Sequence, residues 1–168
     1  MSKKVFAIFI AFFSLLFSSC GYESQSEKDY DYCEIVYEGF CNKDIESIKK
    51  LFCETTKKTH DIEKEIQGSF ETIDGDIISY ERFDIGTDGE KIRDGKVVEK
   101  HSCPKICGIT TSTGKIYEIV IQNQEICLEK PEYEGFSVIK ILEIDPNDPY
   151  EWTKLYEIGE YIDYKISY

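Results

Sequence analysis

The sequence has 168 residues, of which 33 are acidic and 20 are lysine or arginine, so its formal net charge is −13. A chain this acidic is unsuited to binding the phosphates of nucleic acids or to lying flat on anionic lipid, and we expect neither kind of partner. The charge fits a solubilising surface, or a cationic ligand such as a basic peptide or a metal ion.

The first twenty residues predict export and lipid attachment. Two lysines precede an apolar run over residues 5–17, which is too short to span a membrane and fits the core of a secretory signal. Two serines then precede Cys20, and this arrangement resembles a bacterial lipobox, although Phe17 stands where leucine is usual. We expect cleavage after residue 19 and lipid on Cys20. An ordinary signal peptide cut nearby and an uncleaved anchor are the alternatives.

The predicted lipid anchor is followed by a tether, a domain and an extension. Lipid on Cys20 would hold the protein on the extracytoplasmic face of a bacterial cell membrane. The polar, acidic residues 20–29 are predicted to form a flexible tether. Residues 30–148 are predicted to form one domain, followed by an aromatic, acidic extension over residues 149–168 that is either a short helix or a strand.

Six cysteines follow Cys20, and an even number in an exported protein suggests disulfides. Cys33 and Cys41 lie on one predicted helix and are too far apart along its axis to pair. If the first two helices form a hairpin that turns at Lys43, Cys33 and Cys53 lie at the same height and could form a disulfide. The alternative is that the cysteines are small buried apolar residues.

The sequence predicts no metal site and no cofactor. Cys103 and Cys107 lack a second pair of ligands at zinc-ribbon spacing, and the two histidines form no pair motif. The segment that starts at Asp84 resembles an EF-hand loop in composition, but Gly86 and Gly95 stand where the third and twelfth positions need ligands. An irregular calcium site near this turn is the open alternative.

Three helices are predicted in the first half of the domain. Apolar residues recur at helical spacing over residues 33–41, 45–52 and 62–73. Asp44 is a suitable N-cap for the second helix, and the Asp74-Gly75 pair ends the third.

From residue 76 the apolar pattern changes to that of strands. One strand is predicted over residues 77–85 and a short one over residues 96–101. A long hairpin follows over residues 107–129, with its turn near Gly114, and a last strand covers residues 136–144. The order predicts an α+β fold, with three N-terminal helices packed on an antiparallel sheet of four to five strands.

Four segments in this order resemble a family of small Gram-positive bacterial lipoproteins. They are NKDIESIKKLFCETT, FETIDGDIISYE, TSTGKIYEIVI and FSVIKILEIDP. The domain of that family is of unknown function and is similar to a cystatin-like, or nuclear-transport-factor-2-like, roll, in which the sheet is curved. The resemblance spans about residues 30–148 and implies a fold and a location, but it assigns no functional residue.

We therefore expect an extracytoplasmic binding or interaction module without enzymatic activity. Its ligand would be a small molecule, a peptide or a neighbouring envelope protein. Trp152, with Tyr150 and Tyr156 nearby, predicts either an exposed aromatic patch for that ligand or a flap over a hydrophobic edge.

Two other functions stay open at this point. One is a roll-type enzyme, similar to an isomerase or a dehydratase, with its acid or base in a central pocket. Its candidate residues are Tyr80, Asp84, His101 and Tyr117. The other is a structural spacer that binds no ligand.

Overall fold

Four α-helices precede the strands in the part of the chain that the structure describes. The structure is a computed structural model, and it describes residues 25–86 and 89–162. The helices are α1 (Gln25–Asn42), α2 (Ile45–Leu51), α3 (Glu54–Thr59) and α4 (Ile62–Phe70). A short 3₁₀-helix covers Pro131–Tyr133.

Polar side chains fix where the shorter helices begin. Asp44 caps α2 as predicted, since its Oδ1 accepts a hydrogen bond from the backbone N–H of Ser47 at 3.1 Å. Cys53 caps α3 through sulfur, because its Sγ accepts from the N–H of Thr56 at 3.4 Å. Helix α3 was not predicted, since its sequence ETTKKT buries only Thr56 and so carries no apolar stripe.

One antiparallel sheet of eight strands follows the helices in the described residues. The strands are β1 (Ile77–Ser79), β2 (Arg82–Ile85), β3 (Gly89–Arg93), β4 (Lys96–Ser102), β5 (Pro104–Thr111), β6 (Ile116–Cys127), β7 (Gly135–Asp145) and β8 (Asp148–Gly159). Strands β1 and β2 pair with β5, and β3 pairs with β4. Strand β6 pairs with both β4 and β5 and also with β7, and β8 pairs with β7.

The predicted fold, a cystatin-like roll of three helices on four to five strands, is wrong. The described residues form four helices and eight strands: α3 and β3 were not predicted, β8 lies mostly in the predicted extension, and the strand predicted over residues 77–85 is two strands. Residues 77–85 are split between Ser79 and Arg82, next to an irregularity in β5 where Gly108 has a φ of +65°. A Cβ atom at Gly108 would collide with the side chain of Glu81, so this irregular position requires glycine.

The core lies between the helices and one face of the sheet. Phe40 of α1 and Phe70 of α4 meet edge to face, with ring centroids 5.4 Å apart. The fully buried residues that join helices and sheet include Val36, Ile48, Ile66, Ile106, Ile109, Tyr117, Ile119, Ile121, Ile139, Ile141 and Ile158. Isoleucine therefore supplies most of the sheet's buried face, as its β-branched shape favours.

The ends of the described chain differ from the predicted domain limits. Helix α1 begins at Gln25, inside the segment predicted to be a tether. Strand β8 pairs with β7 as far as Gly159, so the predicted extension supplies the last strand of the sheet. Within residues 25–86 and 89–162, no helix has both the length and the apolar character needed to cross a membrane. Cys20 lies outside the described residues.

Candidate functional site

The four residues proposed for an enzyme pocket do not form one cluster. Asp84 and His101 are exposed on β2 and β4. Tyr80 is 39% exposed and stacks on Phe83, with centroids 4.4 Å apart. Tyr117 is fully buried, and its hydroxyl accepts a hydrogen bond from the backbone N–H of Asp74 at 3.0 Å. The four side chains therefore have separate structural surroundings.

Cys33 and Cys53 are both buried and both present as free thiols. Cys33 Sγ lies 3.7 Å from the carbonyl oxygen of Lys105. Burial, with the charge of Asp29 adding to it, raises the pKa of Cys33 to about 12, so its thiol is unreactive at neutral pH. Cys53 follows the end of α2 rather than lying on that helix, which the predicted pairing had assumed. The disulfide stays a prediction.

No group of three or more His, Cys, Asp or Glu side chains is placed to hold a metal ion in the described residues. Of the segment considered for calcium, Asp84 lies on β2 and Gly95 in the turn between β3 and β4. Asp88, the residue around which an irregular site was considered, lies outside the described residues.

A groove opens at the tip of the β7–β8 hairpin, and we call it the hairpin groove. It is lined by residues 143–146, 150–153 and 155 and has a volume of about 710 Å³. Asp145 is paired with Asp148 across the turn, but the next pair joins Ile144 to Trp152. Residues 149–151 therefore have no partners in β7 and form a bulge in β8 beside the groove.

Two short hydrogen bonds hold this bulge in shape. Asp145 Oδ1 accepts from the backbone N–H of Asn147 at 2.8 Å, and Asp148 Oδ1 accepts from the N–H of Tyr150 at 3.0 Å. Such links between an Asp side chain and the backbone two residues later stabilise turns. Local hydrogen bonds thus stabilise the turn and the bulge beside the groove.

The hairpin groove combines exposed aromatic rings with carboxylates. Tyr150 is 90% exposed and Trp152 is 59% exposed. Glu151 is exposed between them, and Glu143 lies at the groove floor with Lys115 Nζ at 3.1 Å. Aromatic faces and carboxylates both attract cations. The predicted aromatic patch is therefore exposed at Tyr150 and Trp152, whereas Tyr156 packs against α4 at Gly68.

A second polar feature is buried at the interface of α1 with β4 and β6, and we call it the buried polar cluster. It consists of Asp29, Lys100, Ser102, Asn123 and Glu125. Ser102 Oγ donates to Asp29 Oδ1 at 2.8 Å, and Lys100 Nζ lies 3.3 Å from Glu125 Oε2. Ser102 and Asn123 are directly paired across the strands. Asp29 and Ser102 are fully buried, and Asn123 is 1% exposed.

Glu125 carries one of the buried charges of this cluster. Burial raises the pKa of its carboxyl, and the nearby Asp29 raises it further. Hydrogen bonds and charge from Lys100, and a hydrogen bond from Ser102, act in the opposite direction. The carboxylate therefore has a net cost in this position, which its partners only partly offset.

The sequence contains a signal for the buried polar cluster. The letters QNQE at residues 122–125 interrupt a run of isoleucines in the middle of a long predicted strand. All four residues are at least partly buried. A polar run inside an otherwise apolar strand indicates either a solvated face or a polar site, and only the structure distinguishes the two.

The comparisons with known proteins give the family but no activity. Residues 35–145 match the model of a domain of unknown function, DUF5104. The chain therefore belongs to that family, over a region that runs from α1 to the end of β7. No curated protein matches the chain.

Proposed function

We propose that the protein is a lipid-anchored, extracytoplasmic binding module. Its hairpin groove takes a positively charged peptide segment of another envelope protein. The observation that carries this proposal is the exposed pair Tyr150 and Trp152 beside Glu151, in a groove of about 710 Å³. A space of this size is large enough for one or two side chains of a partner.

The charge of the groove supports a cationic partner. Lysine or arginine can lie over the ring of Trp152 while its charge faces Glu151. The protein already uses this contact internally, since Lys130 Nζ lies 5.2 Å from the ring centre of Tyr133. The net charge of −13 would speed the encounter with a basic segment, because long-range attraction raises association rates.

The anchor rests on the sequence of the first twenty residues. The two lysines, the short apolar run and Cys20 after two serines resemble a lipid-attachment signal, apart from Phe17 in place of the usual leucine. An acidic domain is repelled by anionic lipid, which would keep the groove facing away from the membrane. These sequence features support the extracytoplasmic location, and the hairpin groove supports the binding of a cationic peptide.

Calorimetry on the full chain tests the role. We would titrate it with a soluble peptide that alternates lysine and valine, and with the same peptide carrying glutamate for lysine. We expect saturable binding of the lysine peptide only. The double variant E143Q/E151Q should weaken it several-fold, because an ion pair at a protein surface contributes about 0.2–1 kcal/mol.

The matched control is E27Q/E46Q, which removes the same charge from α1 and α2, far along the chain from the hairpin. It should bind the lysine peptide nearly as well as the wild type. Equal weakening by both double variants would show that the peptide follows net charge alone, and the groove would then have no specific role.

A further inference from the structure

The buried polar cluster holds two polar atoms that nothing else in the described structure satisfies. Asn123 Nδ2 has no acceptor and Glu125 Oε1 has no donor among the described residues. Asn123 is 1% exposed, and the Glu125 side chain is 10% exposed, so bulk water does not replace the missing partners. Buried donors and acceptors in folded proteins are nearly always paired, so a partner is expected here.

The chemistry of these atoms limits what that partner is. A metal ion would face the Asn123 N–H groups, and the ammonium of Lys100 already lies against Glu125. An anion would face the carboxylates of Asp29 and Glu125. A neutral group that both accepts and donates a hydrogen bond suits both atoms, and a hydroxyl is the simplest such group.

We propose that the buried polar cluster binds a small uncharged molecule with neighbouring hydroxyl groups, such as a sugar or another polyol. One hydroxyl oxygen accepts from Asn123 Nδ2, and the adjacent hydroxyl donates to Glu125 Oε1. The two residues are two positions apart on β6, so their side chains project from nearby points of the strand. The ring of Phe136, paired with Asn123 across β6 and β7, supplies an apolar wall.

Access to this site depends on α1. The hydrogen bond from Ser102 to Asp29 ties the first half of α1 to β4, and both residues are fully buried. A ligand therefore reaches Asn123 and Glu125 when this part of α1 moves away from the sheet. The site is independent of the hairpin groove, since it lies on β4 and β6 and the groove lies on β7 and β8.

Nuclear magnetic resonance on the full chain tests the proposal. We would follow the side-chain amide signals of Asn123 while adding glucose or erythritol, and then fully O-methylated glucose, whose oxygens cannot donate. The expected result is a saturable shift of these signals with glucose or erythritol and none with the methylated sugar. N123L should abolish heat release on glucose addition, and E63Q, which removes an exposed carboxylate on α4 outside both proposed sites, should retain it.

If N123L fails to fold, the titrations of the wild type and of E63Q decide the outcome. If neither polyol shifts the Asn123 signals, and water protons show a long-lived contact with that amide, the site holds a buried water only and the proposal is overturned. That outcome leaves the peptide-binding groove untouched, because the two sites share no residue.

Discussion

Glu125 illustrates how a single buried carboxylate sets part of the pH dependence of this protein. Its pKa in the folded state is raised by burial. A group with a raised pKa holds its proton more tightly in the folded state than in the unfolded chain. Its stabilising contribution is full below the unfolded pKa and is lost as pH rises through the folded pKa.

We predict that E125Q becomes more stable relative to the wild type as pH is raised from about 4, the unfolded pKa range of glutamate, to 7. Glutamine does not ionise in this pH range. The E125Q variant therefore does not lose the stability that the wild type loses when the buried carboxyl group of Glu125 ionises. The free energy of unfolding, measured in urea at several pH values, gives the difference. E143Q is the control, and a difference for E125Q that is flat across this range would contradict the account.

The packing around Gly39 leaves no room for a side chain. A Cβ atom there would lie 2.6 Å from Cγ1 of Ile48, which is fully buried in α2. We predict that G39A lowers the free energy of unfolding by about 1–3 kcal/mol, as overpacking a core does. Adding I48V should restore part of it. If G39A is as stable as the wild type, α1 and α2 do not pack as closely as the structure shows.

At the scale of elements, the last strand is held by a helix as well as by the sheet. Glu65 Oε2 of α4 accepts a hydrogen bond from the backbone N–H of Gly159 at 2.7 Å. Glu65 Oε1 also lies 3.0 Å from His60 Nδ1, so one carboxylate joins the start of α4 to the end of β8. The outer half of β8, by contrast, is exposed from Tyr150 to Lys154.

We predict that E65A loosens the end of β8 but leaves the rest of the sheet intact. Amide hydrogen exchange over residues 155–159 should become about 10-fold faster, since a hydrogen bond to a charged group contributes about 1.5–3 kcal/mol. Q67A, on the exposed side of the same helix, should leave exchange unchanged. An unchanged rate in E65A would mean that pairing with β7 alone holds this end.

Several elements could be predicted from local signals, and the failures have physical causes. The sequence predicts Asp44 as an N-cap because its carboxylate accepts a hydrogen bond from the backbone only three residues later, at Ser47. The break between β1 and β2 lies next to an irregularity at Gly108 in another strand, and no local pattern reveals it. The sequence suggested the aromatic patch at Trp152, but the groove beneath it arises from a register shift between β7 and β8.

The buried polar cluster was missed for a similar reason. Asp29 lies in a segment that composition alone marks as a polar tether, and its partner Ser102 is 73 residues further along the chain. Only the packing of α1 on the sheet brings them together.

At the scale of the whole molecule, the proposed attachment of lipid to Cys20 can be tested directly. We predict that the protein purified from its own cells has the mass of a chain that begins at a lipidated Cys20 and partitions into detergent. C20S should move to the aqueous phase. Wild-type protein found without lipid in the medium would contradict the anchor, and the groove would then act on a diffusible protein.

The most direct test of the binding function uses the fact that Trp152 is the only tryptophan in the chain. Its fluorescence therefore reports the hairpin groove alone. We would titrate the wild-type protein with the lysine–valine peptide at physiological salt. We expect a saturable change in Trp152 emission, and we expect no such change with the glutamate–valine peptide. Saturable binding of the lysine peptide in calorimetry with no change in Trp152 emission would place the site elsewhere and contradict the account.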